Sequence, residues 1–315
     1  MVELSAWLLR HTPVRPLVVA VPGGTGARLA VERAVRERGW RPARGPAEAN
    51  VLVVAGAAGP DLEPHLSRVY DAVPAPRERV DVAGVSAADP QLDAAATALR
   101  DLSRQRERLP ATRGTVTAPQ AIRSLRLGPV APLWPAGLTV HAVVRDGLLA
   151  DVSTEVAGEP AGSFWTADDT RARALDAAAR LLAVAGWPDA AQTAAYLRDT
   201  ALAGTFGAEQ APSLRRWARR VRGSPALRRL LTGVGGVPPG PSVPRSLTGD
   251  ARRRLHRWVT VAAGDGTSRP ARDEATPWAL AALPGLLRAS PPERAGLVVA
   301  SLDPDADALV GTHAG

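Results

Sequence analysis

Chemistry is offered first by Pro22-Gly23-Gly24-Thr25-Gly26, which closes an apolar run from Leu17 to Val21 and precedes a helical pattern from Ala27 to Arg38. A glycine-rich turn between a strand and a helix start presents backbone N–H groups and the positive end of the helix dipole, so Gly23, Gly24, Thr25 and Gly26 suit a nucleotide phosphate or another anion. The spacing is neither G-x-G-x-x-G nor a P-loop. All 39 basic residues are arginine. The absence of lysine excludes a P-loop lysine, a Schiff base and a Tyr-x-x-x-Lys dehydrogenase pair.

Other reactive side chains are scattered. The histidines are His11, His65, His141, His256 and His313, and none has a second ligand at helical or strand spacing, so no metal site is expected. His65 and Tyr70 flank one helical pattern, where a histidine carries protons or packs at a surface. There is no Gly-x-Ser-x-Gly elbow. Asp168-Asp169 reads as a helix cap rather than an acid/base pair. Asp303, Asp305 and Asp307 alternate like calcium ligands but lack the loop glycine and terminal glutamate, so they read as a solvated tail. The chain has no cysteine, hence no disulfide, thiolate nucleophile or cysteine-held iron-sulfur cluster.

The elements that must position these groups follow from periodicity. Val51 to Ala55 is an apolar run closed by Gly56, the pattern of a strand buried on both faces. Leu62, Leu66, Val69 and Val73 recur at helical spacing, with Asp61 as a cap and Pro74 and Pro76 as stops. A strand from Val80 to Ala83 completes a strand-helix-strand unit whose Gly56 end faces a crevice. Ser5 to Arg10 reads as a short helix, and a further helix runs from Gln91 to Arg108. The strand from Thr139 to Val144, the Asp146-Gly147 turn and the strand from Leu148 read as a hairpin.

Helices follow from Thr170, from Ala190 to Leu202 with Tyr196 and Leu197 inward, from Ser213, from Asp250 to Val261, and near Trp278 to Arg288. Gly233 to Pro244 is a loop. Arg215, Arg216, Arg219, Arg220 and Arg222, then Arg252, Arg253, Arg254 and Arg257, interleave with Trp217 and Trp258, as in a contact to nucleic acid or a membrane. The reading favoured here is solvated helix faces, and nucleic acid is not expected as a partner. The 315 residues carry a net charge of +8, are 45% hydrophobic and only 4% aromatic. They allow two domains, with a boundary near Pro110. Glu3 and Arg10 around a brief apolar run do not make a secretory signal, and no apolar run reaches the roughly 18 residues of a membrane span.

Two stretches resemble known families. The strand, Ala-Gly step, helix with Arg68-Val69-Tyr70-Asp71, Val73-Pro74-Ala75-Pro76-Arg77 and strand ending in Gly84 resemble the B-type iron-sulfur subunit of NADH-quinone oxidoreductase (complex I), a relative of nickel-iron hydrogenase small subunits. Leu125-Arg126-Leu127-Gly128-Pro129, the hairpin and the late Ser301-Leu302-Asp303-Pro304 resemble the D-type subunit of the same enzyme, which carries its quinone site and is related to hydrogenase large subunits. The resemblance covers residues 15–105 and 123–155, and scattered points beyond. It implies that the cluster-ligand positions fall on Gly24 and Ala27 and the quinone-site histidine positions on Ala131 and Ala136. The cluster-binding insert after Gly84 is missing.

The resemblance implies an α/β protein: a flavodoxin-like, parallel-sheet domain over residues 1–110 without cluster ligands, then a β-hairpin and a mainly α-helical region over 111–315. It implies a cofactor-free structural or assembly component of a complex I-like or hydrogenase-like assembly, without independent activity. Its partners would be the other subunits, membrane subunits included, placing it in the cytoplasm, peripheral on the inner face of the cell membrane. The alternative is an enzyme or binding protein that uses the Gly23–Gly26 turn for a nucleotide or other anion.

Overall fold

The computed structural model describes residues 11–107, 123–158, 161–264 and 275–309, and it is an α/β protein with a helical C-terminal part. The Ser5–Arg10 helix, the boundary near Pro110 and His313 lie outside the described residues. The described chain divides into two compact units. The first holds residues 11–107, 123, 127–139 and 156–158, and the second 124–126, 140–155, 161–264 and 275–309. Segments 127–139 and 156–158 join the first unit because Val130 and Ala157 pack into its core beside Leu17, Leu52 and Leu66.

In the first unit, β1 (Pro16–Ala20), β2 (Val51–Ala55) and β3 (Glu78–Val82) form a parallel sheet in the order β1-β2-β3. All five residues of β2 are fully buried, as the uninterrupted apolar run predicts. One face of the sheet, with Val51, Val53 and Ala55, is covered by α1 (Thr25–Glu37) and α3 (Ala88–Arg100). The other, with Leu17, Val19, Leu52 and Val54, is covered by α2 (Glu63–Asp71). The connections β1-α1-β2 and β2-α2-β3 step across the sheet in the same direction but pass on opposite faces. They therefore have opposite hands, and one departs from the usual right-handed rule.

Two local expectations are corrected here. Asp61 does not cap α2: the N-cap residue is Leu62, and Pro64 in the first turn removes one N–H that a cap would serve. The helix expected from Gln91 starts at Ala88 and breaks at Asp101, whose extended backbone ends α3. The Asp101 carboxylate then accepts from the N–H groups of Ser103 and Arg104 and starts α4 (Leu102–Glu107).

A second sheet has the order β4-β5-β6, from β4 (Arg123–Leu127), β5 (Leu138–Arg145) and β6 (Leu148–Val156). Asp146 (φ 51°) and Gly147 (φ 77°) both take the left-handed region, the requirement of the tight turn that Asp-Gly satisfies. β4 was not legible as a strand, since Arg123 to Leu127 is short and ends at Gly128-Pro129.

The second unit continues with α5 (Thr170–Val184), α6 (Pro188–Leu202), α7 (Gln210–Gly223), α8 (Pro225–Leu231), α9 (Ala251–Ala263), α10 (Ala275–Leu287) and α11 (Ala295–Leu302). The α5 stripe of Leu175, Ala178, Ala179 and Leu182 is buried, and Gly186 (φ 79°) follows its end. On α6, Leu197 is buried, but Tyr196 points outward at 53% exposed, because adjacent helical residues lie about 100° apart and only one can face the core. No described helix is long and apolar enough to cross a membrane.

Candidate functional site

The Gly23–Gly26 turn lies at the carboxyl end of the first unit's sheet, where ligands of α/β proteins usually bind. Gly23 takes φ 76°, Gly24 is the N-cap residue of α1, and Thr25 and Gly26 open the helix. The N–H of Gly24 donates to the Val21 carbonyl at 2.8 Å, and the N–H of Val21 donates to the Ala55 carbonyl at 3.0 Å. The turn is thereby tied down onto the end of β2.

Its packing is tighter still. A Cβ on Gly24 would stand 2.0 Å from the Ala55 carbonyl oxygen and 2.7 Å from that of Val21. A Cβ on Gly56 (φ 108°) would stand 2.8 Å from the Gly24 Cα. Where the sequence pattern predicts a crevice beside Gly56, backbone lies against backbone, and glycine is what lets the two chain segments approach. Ala27 is buried in the core under α1, with Ala30 and Val31. Gly24 and Ala27 thus face packed interior and do not converge on an open site.

The loop bearing the other pair is brought to the same end of the sheet. Pro22 Cγ lies 3.0 Å from a Cβ placed on Gly137 and 2.8 Å from one placed on Gly158. The N–H of Ala157 donates to the Gly137 carbonyl at 2.9 Å. Trp134 Nε1 donates to the Leu138 carbonyl at 2.7 Å, which closes the loop on itself. Ala131 and Ala136 are half-buried here and offer methyl groups only. The structure therefore brings together, through Pro22 and Gly137, two segments that are far apart in sequence.

The remaining candidates do not assemble. Among the described residues no group of three His, Cys, Asp or Glu could hold a metal. His141 Nε2 lies 3.2 Å from a Glu155 oxygen across the hairpin, with Arg126 3.7 Å from the same oxygen, on an exposed face. His65 is half-buried, and Tyr70 lies under the Arg77 guanidinium, 4.6 Å from its ring centre. Asp169 stands at the N-cap of α5, yet its carboxylate binds the Thr166 N–H and hydroxyl at 2.8 and 2.6 Å rather than a helix N–H. It shapes the entry to the helix instead of capping it.

The second unit also holds two buried polar networks that the sequence pattern did not reveal. In the first, Arg198, almost fully buried, meets Asp176 at 2.7 Å and Asp199 at 2.9 Å. Arg180 bridges Asp176 at 3.1 Å and Asp303 at 2.6 Å. Asp305 accepts from the Ser163 hydroxyl at 2.7 Å, and Asp307 is buried. The expectation of a solvated tail is corrected: these aspartates fix the end of α11 to α5. Burial pushes the Asp303 carboxyl up, against the pull of Arg180 and Arg173.

In the second network Arg254 is fully buried. Its guanidinium donates to the carbonyls of Leu247, Gly249 and Gly235 and to the Ser301 hydroxyl, all at 2.7–2.9 Å. Arg257 donates to the carbonyls of Ser246 and Thr248. These two arginines of the second basic helix are loop clamps, which corrects their reading as a solvated face. Burial, with the charge of Arg257, pushes Arg254 down to about 10, leaving it cationic at neutral pH. Asp250 caps α9 through the Arg253 N–H and also accepts from the Gly233 N–H. Burial pushes its carboxyl up, but these N–H groups and the nearby arginines outweigh it and hold it below the usual range. His256 is held down by burial and by the charges of Arg252 and Arg222.

Signals for these networks were present in part. Asp176 and Arg180 are four apart inside an apolar stripe, and Asp250 and Arg254 are four apart at a helix start, the spacing of helix neighbours. Nothing in the sequence pointed to Ser301 or to the loop carbonyls. The chain matches no known family model, no curated protein and no solved structure.

Proposed function

We propose that the chain is a cofactor-free structural component of a complex I-like or hydrogenase-like assembly, related to the B-type iron-sulfur subunit joined to a shortened form of the D-type quinone-site subunit. The observation that carries this reading is the closed turn. Gly24, the position matched to a cluster ligand, has no room for any side chain beside the Ala55 carbonyl. The half-buried loop with Ala131 and Ala136 closes the same end of the sheet through Gly137 and Pro22. An end built this way keeps a shape while Gly24, Ala27, Ala131 and Ala136 stand at the positions matched to ligands and histidines, which suits a part recognised by other subunits.

On this reading the sheet is a relative of flavodoxin-like sheets, rearranged: those begin 2-1-3 with the first strand central, whereas here β2 is central. The alternative, an anion or nucleotide bound at the Gly23–Gly26 turn, is weakened because the Gly24 N–H is already used by Val21. The test is affinity purification of the full chain from its native cells, followed by mass spectrometry. The reading expects complex I-like or hydrogenase-like subunits in the eluate. Their absence, or a stoichiometric iron-sulfur absorbance in the purified chain, overturns it.

A further inference from the structure

The positive charge of this protein is localised. Residues 210–260 hold 12 of the 39 basic residues and one of the 31 acidic ones, Asp250. Without that segment the chain has 27 basic against 30 acidic residues, so the excess charge belongs to α7, α8, α9 and the loop before α9. Asp250 is engaged by the N–H groups of Gly233 and Arg253, and Arg254 and Arg257 are turned onto loop carbonyls. Apart from Arg245 and Arg253, the exposed arginines of this segment sit on two consecutive helices joined at Ser224, α7 and α8. Arg215, Arg216, Arg219, Arg220, Arg228 and Arg229 are all exposed. Among the described residues none of these six has a carboxylate partner, and Arg220 only stacks on the Trp187 ring, 4.8 Å away.

We propose that the α7–α8 face binds the surface of an anionic phospholipid bilayer. Three observations select this occupant. Unpaired guanidinium groups on a folded surface repel one another, and an array of lipid phosphates relieves that repulsion while binding each planar fork in two places. The apolar faces of both helices, Leu214, Trp217, Val221, Leu227 and Leu231, are buried in the protein, so the helices cannot peel off and insert as amphipathic anchors. The contact is therefore shallow and electrostatic. Beside Arg228 and Arg229, Leu230 is 41% exposed. A leucine gains free energy at the headgroup and acyl boundary and gains nothing against a phosphodiester backbone, which favours a bilayer over a nucleic-acid duplex. The aromatic rings that would stack on bases are withdrawn, Trp217 by burial and Trp187 beneath Arg220. This surface does not depend on the assembly proposed above.

The experiment is co-sedimentation of the full chain alone with vesicles of phosphatidylcholine and with vesicles containing about 30 mol% phosphatidylglycerol. The chain should sediment with the anionic vesicles only. Binding should weaken more than about tenfold between roughly 50 and 300 mM salt, as screening shortens the reach of the charges. The variant Arg215→Gln/Arg216→Gln/Arg219→Gln should bind more than about tenfold more weakly, at about 1 kcal/mol per arginine near the surface. Leu230→Ser should weaken binding about fivefold at fixed salt. Melting temperatures of all variants should stay close to the parent's, because Arg215, Arg216, Arg219 and Leu230 are all exposed. Failure of the parent chain to sediment with anionic vesicles at low salt overturns the proposal. So does tighter binding to a random-sequence DNA duplex, unchanged by Leu230→Ser.

Discussion

His256 and Arg254 lie two residues apart on α9, and each shows how burial sets the behaviour of a charge. Arg254 stays cationic because four oxygen atoms replace its water. His256 finds no such partner; burial and the neighbouring Arg252 and Arg222 favour its neutral form, with Asp250 alone pulling the other way. In the unfolded chain this histidine titrates near about 6.5. Between that value and its lower folded value the unfolded state binds more protons, so stability falls as pH drops below about 6.5. Urea unfolding of the parent and His256→Gln across pH 5 to 8 checks this. The parent should lose stability on the acid side, and the variant should lose less. Equal slopes would show that the imidazole is not confined.

Elements in this chain were legible where a repeating apolar pattern is set against backbone chemistry. β2, α1, the Asp146-Gly147 hairpin and α5 follow from such patterns. What escaped was set by distant partners. Arginines 254 and 257 look like one edge of a basic helix, and only the placement of the 233–250 loop, bridged to itself at Val237 and Gly249, turns them inward. Likewise Asp303 and Asp305 look like a tail until α5 supplies Arg180 and Arg173. The glycine turn was read correctly as a turn, but its closure depends on Ala55, roughly thirty residues on. The loop is the element to test. Arg254→Met would leave the Leu247 and Gly235 carbonyls and the Ser301 hydroxyl without the arginine donor, costing about 3 kcal/mol or more. Limited proteolysis should then cut the variant within residues 236–245 at protease levels that spare the parent. A loop that resists cleavage in the variant would show that Arg257 and the Val237 bridge suffice to hold it.

Among the described residues, the buried charged groups of the second unit are engaged in structure. Asp176, Asp303, Arg180 and Arg198 neutralise one another in the second unit, Arg254 is held by carbonyls, and the first unit closes the end of its sheet where an α/β protein ordinarily admits a ligand. The cationic α7–α8 face, with its run of exposed arginines, is the surface on which the membrane proposal rests. The closed sheet end is the feature on which the functional reading stands, and Gly24 is its keystone. Its backbone (φ −88°) is open to any residue, so a substitution there tests space alone. The most direct measurement is the unfolding free energy of Gly24→Ala. The closed turn predicts a loss of about 3 kcal/mol or more, because the new methyl must displace the backbone of β2. A variant as stable as the parent would contradict it, showing room above Ala55 where a ligand could sit.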